Sequence, residues 1–396
     1  MINKKEKILL IYSTTKFDDN YKKGNISFIR HYESHFDKVI CFYQTGEQSI
    51  ELIDGNTKYI CKANSHSKLN KIINMFSLPL TLFKIVKKYK PTSVSTPDII
   101  FGGYSWILVK LFTNFKLVCY PVCVIDTIYS HGNSLTNRLP IWIEKFLVKF
   151  TFRMADKIID AKNFSATSGS THWVLNWIKD KNKFSIIEKL PDALPTPTFF
   201  KKVHEYKNFI ENRMIYQKNV IKIVTASRLH KEKFIYDYVD IIDKLVKLSN
   251  QKIELYIYGD GEERKNIEKV ISEKRLNENV YLKGFIKNED LVKEYVDADI
   301  FLSLYTGSAL REAMLCGLPV VAYKIDWIGE MFIDKQNILY SKSRNIDDTV
   351  SKLLELINDS NLYENISLHS YQNANDKWGI KDLNLSIIDM FRMEKI

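Results

Sequence analysis

Short runs of β-branched and aliphatic residues alternate with helical patterns along most of the chain. In the first half, Ile8–Tyr12, Val39–Tyr43, Lys116–Val122, Lys157–Asp160 and Phe184–Ile187 predict strands. In the second half, Val220–Thr225, Ile253–Tyr258, Val280–Lys283, Ile300–Leu304 and Pro319–Tyr323 do the same. Near-continuous apolar strands separated by helices indicate parallel sheets covered on both faces. Ile235, Tyr238, Val239, Ile242, Leu245 and Val246 recur at helical spacing and predict a helix with one buried face, as do Leu353, Leu354 and Ile357.

A break falls at Leu190–Pro197, LPDALPTP, where three prolines in seven residues can continue neither a helix nor a central strand. It separates two βαβ sets. We therefore predict an N-terminal Rossmann-like domain over 1–200 and a second over 201–370. Residues 371–396 form a helical segment that packs back on the first domain. At 396 residues the chain is also too long for one ordinary core. Two doubly wound α/β domains place a ligand cleft between the carboxyl edges of their sheets.

Charge changes this picture. Residues 1–200 hold 28 Lys and Arg against 16 Asp and Glu, a net +12, whereas 201–396 hold 30 against 31. The one-sided excess fits an anionic partner for the first domain: a phosphorylated acceptor, an anionic membrane surface or nucleic acid. It fits a lysine-rich solvated face equally well. Arg138–Lys157 carries Trp142, Phe146, Phe150 and Phe152 among Lys145, Lys149 and Arg153. That pattern suits a membrane surface or a core helix with an exposed basic side. No Arg-rich stripe or known motif supports nucleic-acid binding.

The five cysteines, Cys41, Cys61, Cys119, Cys123 and Cys316, are odd in number, and several lie in apolar runs without a CxxC. Buried thiols in a reducing compartment fit best. No segment approaches the ~18 apolar residues of a membrane span, and Ile72–Val86, the nearest, contains Pro79 and Lys84. A cytoplasmic protein is expected, with any membrane contact peripheral and on the inner face.

Several short motifs carry chemistry. In TASRLHKEKF a strand runs into Arg228 and, five residues later, Lys233, just before a helix. Two cations there suit a diphosphate, although taken alone they are better described as surface charge on a βα loop. In YIYGDGEER, Gly259 and Gly261 lack the third glycine of a dinucleotide fingerprint and read as a turn that lets backbones pass closely. VYLKGF places Gly284 and Phe285 after another strand. Then a strand ends in Tyr305, Thr306, Gly307, Ser308 and Ala309, and a helix follows with Leu310, Arg311 and Glu312. Backbone N–H groups of Ser308–Leu310 would face an anion, aided by the helix dipole. Glu312 could accept two ribose hydroxyls or serve as an ordinary first-turn acid. Asp297 and Asp299 form a DxD that reads as the structural entry to a buried strand.

Taken in order, SRL-x3-K, a strand ending in GxG, LKGF, DADIFLS and G-x4-EAM-x2-G-x-PVVA resemble the retaining glycosyltransferases of family 4, which have the GT-B fold. The resemblance covers about 219–340. A weaker one covers KPTSVST, KLVCYPVCVIDT, IEKFLVKFTFRMADKII and IIEKLPDA in the first half. It implies a nucleotide-sugar donor, retention at the anomeric carbon and no bound metal or other cofactor. It places Arg228 and Lys233 on the diphosphate, Glu312 on the ribose and the backbone near Gly284 beside the base.

Two departures stand out. Leu304 occupies the place of a glutamate that in the family contacts the donor sugar, and the loop is about two residues shorter. Ile125 precedes Asp126 where a His-Asp pair is common. Asp126 or His131 is then left to handle the acceptor hydroxyl's proton. The alternatives are a loop cap for Asp126 and a turn before Gly132 for His131. The expected protein transfers sugar to a lipid-linked glycan during surface polysaccharide biosynthesis. The alternative is a GT-B scaffold that binds nucleotide without transferring sugar.

Overall fold

The computed structural model describes residues 7–16, 29–45, 49–62, 68–120, 140–161, 177–187, 189, 194–211, 219–305, 307–325, 328–381 and 383–391. The chain divides into two units, Met1–Leu194 with Asp382–Ile396, and Pro195–Lys381. The boundary lies inside LPDALPTP. The helix Ser360–Trp378 belongs to the second unit and the helix Leu383–Phe391 to the first.

The first unit holds β1 (Ile8–Lys16), β2 (Lys38–Thr45), β3 (Ile50–Asp54), β4 (Thr57–Cys61), β5 (Ser93–Thr96), β6 (Lys116–Cys119), β7 (Lys157–Ala161) and β8 (Phe184–Ile187). They form one sheet in the order β3-β4-β2-β1-β5-β6-β7-β8. All neighbours are parallel except the β3–β4 pair, whose turn is made by Gly55 at φ +62°. Leu10, Tyr12, Ile40, Phe42, Trp106, Leu117 and Phe152 share its core. The helices Phe101–Lys110 and Ile141–Met154 meet where Gly103 lies against Thr151, since a Cβ there would overlap the threonine side chain. Helix Leu383–Phe391 is fixed to this unit late in the chain. The Lys189 N–H donates to Ser386 Oγ at 3.1 Å, and the Phe391 ring lies 5.0 Å from that of Phe36.

The second unit holds β9 (Val220–Ala226), β10 (Lys252–Tyr258), β11 (Val280–Gly284), β12 (Ile300–Ser303), β13 (Val320–Tyr323) and β14 (Leu339–Ser341). This sheet is wholly parallel, in the order β11-β10-β9-β12-β13-β14. Strand order reverses between β9 and β12. Loops leaving the carboxyl ends of those two strands therefore turn in opposite directions and open a crevice. The helix Ile235–Leu248 buries Ile235, Tyr238, Val239, Ile242 and Leu245 against this sheet, the face its spacing predicts.

Cys41, Cys61, Cys119 and Cys316 are buried free thiols, and burial pushes Cys119 up to about 12. Cys123 lies outside the described residues. Among the described residues no helix is long and apolar enough to cross a membrane.

Candidate functional site

The loop after β9 is held by backbone pairing to the loop after β10. Ser227 N–H donates to the Tyr258 carbonyl at 2.9 Å, Leu229 N–H to that of Asp260 at 3.1 Å, and Glu263 N–H to that of Leu229 at 3.1 Å. Such close approach needs glycine opposite. A Cβ on Gly259, whose φ is +134°, would overlap the Ser227 carbonyl oxygen, and one on Gly261 would overlap that of Leu229. Leu229 is fully buried, and the flanking Arg228 is exposed. The GxG motif therefore works as a seat for the loop that presents Arg228.

The chain next makes a short turn, Lys231–Lys233, and enters the helix Ile235–Leu248 through Phe234 at φ +54°. Lys233 Nζ lies 3.6 Å from the centroid of the Tyr305 ring, beyond β12. Burial lowers the lysine's pKa, and the nearby Arg228 charge lowers it further. Two cations that repel one another at a helix start suit an anion, which would relieve the repulsion. Phe234 packs on Tyr305 and Tyr323, with the Arg344 guanidinium 5.2 Å over its ring. Asp237, in the first turn, accepts from Tyr323 Oη at 2.9 Å and pairs with Arg344 at 3.5 Å.

Across the crevice, the helix Ser308–Leu315 starts two residues earlier than its sequence predicts. Its N-cap, Gly307, is extended at φ 175°, makes no side-chain cap and has open space where a Cβ would stand. Ser308 is exposed, Ala309 half-buried and Leu310 buried. Glu312 is only 3% exposed and accepts from Asn288 Nδ2 at 2.9 Å. Burial pushes its carboxyl up to about 7, against a smaller opposing pull from Arg311. Asn288 begins the helix Asn288–Val296, and its partnership with Glu312, 24 residues away, leaves no sequence signal.

Gly284 adopts φ +74°, and its carbonyl accepts from Gly259 N–H at 2.7 Å; Phe285 beside it is 48% exposed. Leu304 is fully buried, its N–H bonded to Tyr238 Oη at 3.1 Å, so it cannot reach a ligand. Asp299 pins β12 to β9 by accepting from Lys222 N–H at 2.8 Å, which gives the DxD a structural role. Asp126, His131 and Thr306 lie outside the described residues.

The structure thus brings Arg228, Lys233 and the residues from Gly307 to Glu312 to one edge, at the strand-order reversal. Residues 208–373 match the family described as glycosyl transferases group 1. That match spans the whole second sheet, from β9 to β14. Among curated proteins, the chain is 29% identical over 168 residues to poly(ribitol-phosphate) alpha-N-acetylglucosaminyltransferase of Staphylococcus aureus strain COL, covering 42% of this chain and 34% of that one. The chain spans less than two thirds of the length of the first curated relatives it matches. Among solved structures, sucrose-phosphate synthase from Thermosynechococcus elongatus superposes with a TM-score of 0.69 at 13% identity over 98% of both chains. Anabaena HepE in complex with UDP superposes with a TM-score of 0.63 at 15% identity, over 97% of this chain and 98% of that one. The fold is GT-B, built from two Rossmann-like α/β units.

Proposed function

We propose that the protein is a retaining, metal-independent glycosyltransferase of family 4. It moves a sugar from a nucleotide-sugar donor to a lipid-linked glycan acceptor in surface polysaccharide biosynthesis, at the cytoplasmic face of a membrane. The observation that carries the donor half is the Arg228/Lys233 pair seated at the strand-order reversal of the second sheet. Breaking a sugar–phosphate bond develops negative charge on the departing nucleoside diphosphate. Two fixed cations and an uncapped helix start stabilise that charge as it grows, in the role a metal plays elsewhere. Glu312 is assigned to the ribose hydroxyls, and the backbone at Gly284 and Phe285 to the base.

The acceptor half rests on charge. The first unit carries the positive excess, and a relative is named for a poly(ribitol-phosphate) acceptor, itself an anionic polymer. Asp126 or His131 is assigned to the acceptor's proton.

One observation favours a second reading, a scaffold that binds nucleotide without transferring sugar. Buried Leu304 stands where the family has a sugar-contacting glutamate. A panel of nucleotide sugars, screened by thermal shift with hydrolysis followed in parallel, separates the two. Stabilisation with hydrolysis supports the enzyme, and stabilisation without it supports the scaffold. No stabilisation by any member would overturn both.

A further inference from the structure

The helix Ile141–Met154 carries large apolar side chains on its outward face as well as its inward one. Inward it buries Glu144, Val148, Thr151 and Phe152. Outward it presents Trp142, Phe146 and Phe150, which are 72%, 62% and 37% exposed. The rings of Phe146 and Phe150 are stacked at 6.0 Å and 8°. Lys145, Lys149 and Arg153 are exposed on the same outward face, at positions that interleave with the aromatics.

A core helix with a merely solvated back would carry polar residues there, not three large rings. The helix feeds β7, which lies parallel to β6. Its first turns, with Trp142 and Phe146, therefore stand at the carboxyl edge of the sheet, where α/β units bind ligands.

We propose that the outward stripe of this helix is the docking surface of the first unit for an anionic lipid bilayer. The rings enter the headgroup and acyl boundary, and the interleaved Lys145, Lys149 and Arg153 meet anionic headgroups. Aromatics flanked by cations on one helical face are the composition of a helix lying in a membrane interface. Docked this way, the strands run along the bilayer and the carboxyl edge of the first sheet opens beside it, at the level where a lipid-linked acceptor is held. The inference rests on the peripheral-membrane part of the reading above and names the residues that perform it.

The test uses the full chain, because the first unit includes the last helix. Sedimentation with phosphatidylcholine vesicles, with and without phosphatidylglycerol, compares the wild type with two triple variants. One is Trp142→Ser, Phe146→Ser and Phe150→Ser; the other is Lys145→Gln, Lys149→Gln and Arg153→Gln. The wild type should partition onto anionic vesicles, and each variant should lose about tenfold or more of that partition. Melting temperature and nucleotide binding should be unchanged, because the altered side chains are exposed and lie outside the donor unit. Wild-type binding that both variants retain would overturn the assignment while leaving a peripheral protein with another contact surface. No binding by the wild type would overturn the peripheral reading as well. A wild-type dimer that the aromatic variant turns into a monomer, with vesicle binding unaltered, would make the stripe a self-association face.

Discussion

The two helix starts that flank the crevice of the second sheet look alike in sequence and differ in physics. Each follows a strand and holds an acid within its first turns. At Ile235–Leu248 the acid, Asp237, is satisfied by Tyr323 and Arg344. The charge available to a ligand there is positive, from Arg228 and Lys233. At Ser308–Leu315 the acid, Glu312, is buried with Asn288 as its neutral partner, and its carboxyl is pushed up to about 7. One start presents positive charge, the clamp of the proposed function; the other presents a buried carboxyl that titrates near neutral pH. A βα loop's function therefore depends less on having an acid or a base than on which of them already has a partner.

The sharpest way to break this comparison is to remove the clamp. Arg228→Ala and Lys233→Ala should each lower turnover about a hundredfold, on the order of 3 kcal/mol, because their interaction strengthens as charge develops on the leaving diphosphate. Circular dichroism should be unaltered. Near-wild-type turnover in both variants would sink the phosphate-site assignment.

Next comes the seat beneath the clamp. Gly259→Ala should destabilise the chain by on the order of 2 kcal/mol and weaken donor binding, since its Cβ collides with the loop that carries Arg228. Gly307→Ala, with open space and extended backbone, should stay within about 0.5 kcal/mol. Chemical denaturation of both variants checks the contrast, and equal effects would mean the two loops are held alike.

The titratable start gives a smaller, pH-dependent effect. Ribose hydroxyls donate to a carboxylate, so donor binding favours ionised Glu312. With its carboxyl up at about 7, nucleotide affinity should rise about tenfold from pH 6 to pH 8. The same shift works against stability. A carboxyl raised in the folded state loses stability as pH climbs from its unfolded value toward 7, and Glu312→Gln should abolish that loss. Calorimetric titrations and melts at both pH values test this; an affinity rise that survives in Glu312→Gln would assign it to another group. The smallest expected effect is none at all: transfer measured in excess EDTA should match the untreated rate. Loss restored by manganese or magnesium would replace the two-cation mechanism with a metal.

Much of this was legible in the sequence, and the exceptions have causes. Strands built from continuous aliphatic runs, such as Val220–Ala226 and Ile300–Ser303, announce themselves because both faces are buried. β5, SVST, does not: its four small residues are all buried between β1 and β6, and burial without apolar bulk leaves no pattern. The β3–β4 hairpin does carry a signal, alternation on both sides of Asp54 and Gly55, but not the continuous apolar run that marks the buried parallel strands. At the site, cations beside a strand end can be read from spacing. The partners that set their character, Tyr305 under Lys233 and Asn288 on Glu312, are fixed only by tertiary packing.

The late helix Leu383–Phe391 has a consequence in time. On the ribosome, the first sheet emerges well before the helix that covers Phe36 and holds Ser386 against Lys189. The whole second unit is synthesised in between. The earlier-made unit is thus completed after the later-made one, and a chain released after Lys381 should hold a finished second unit and a first whose flank is still open to protease.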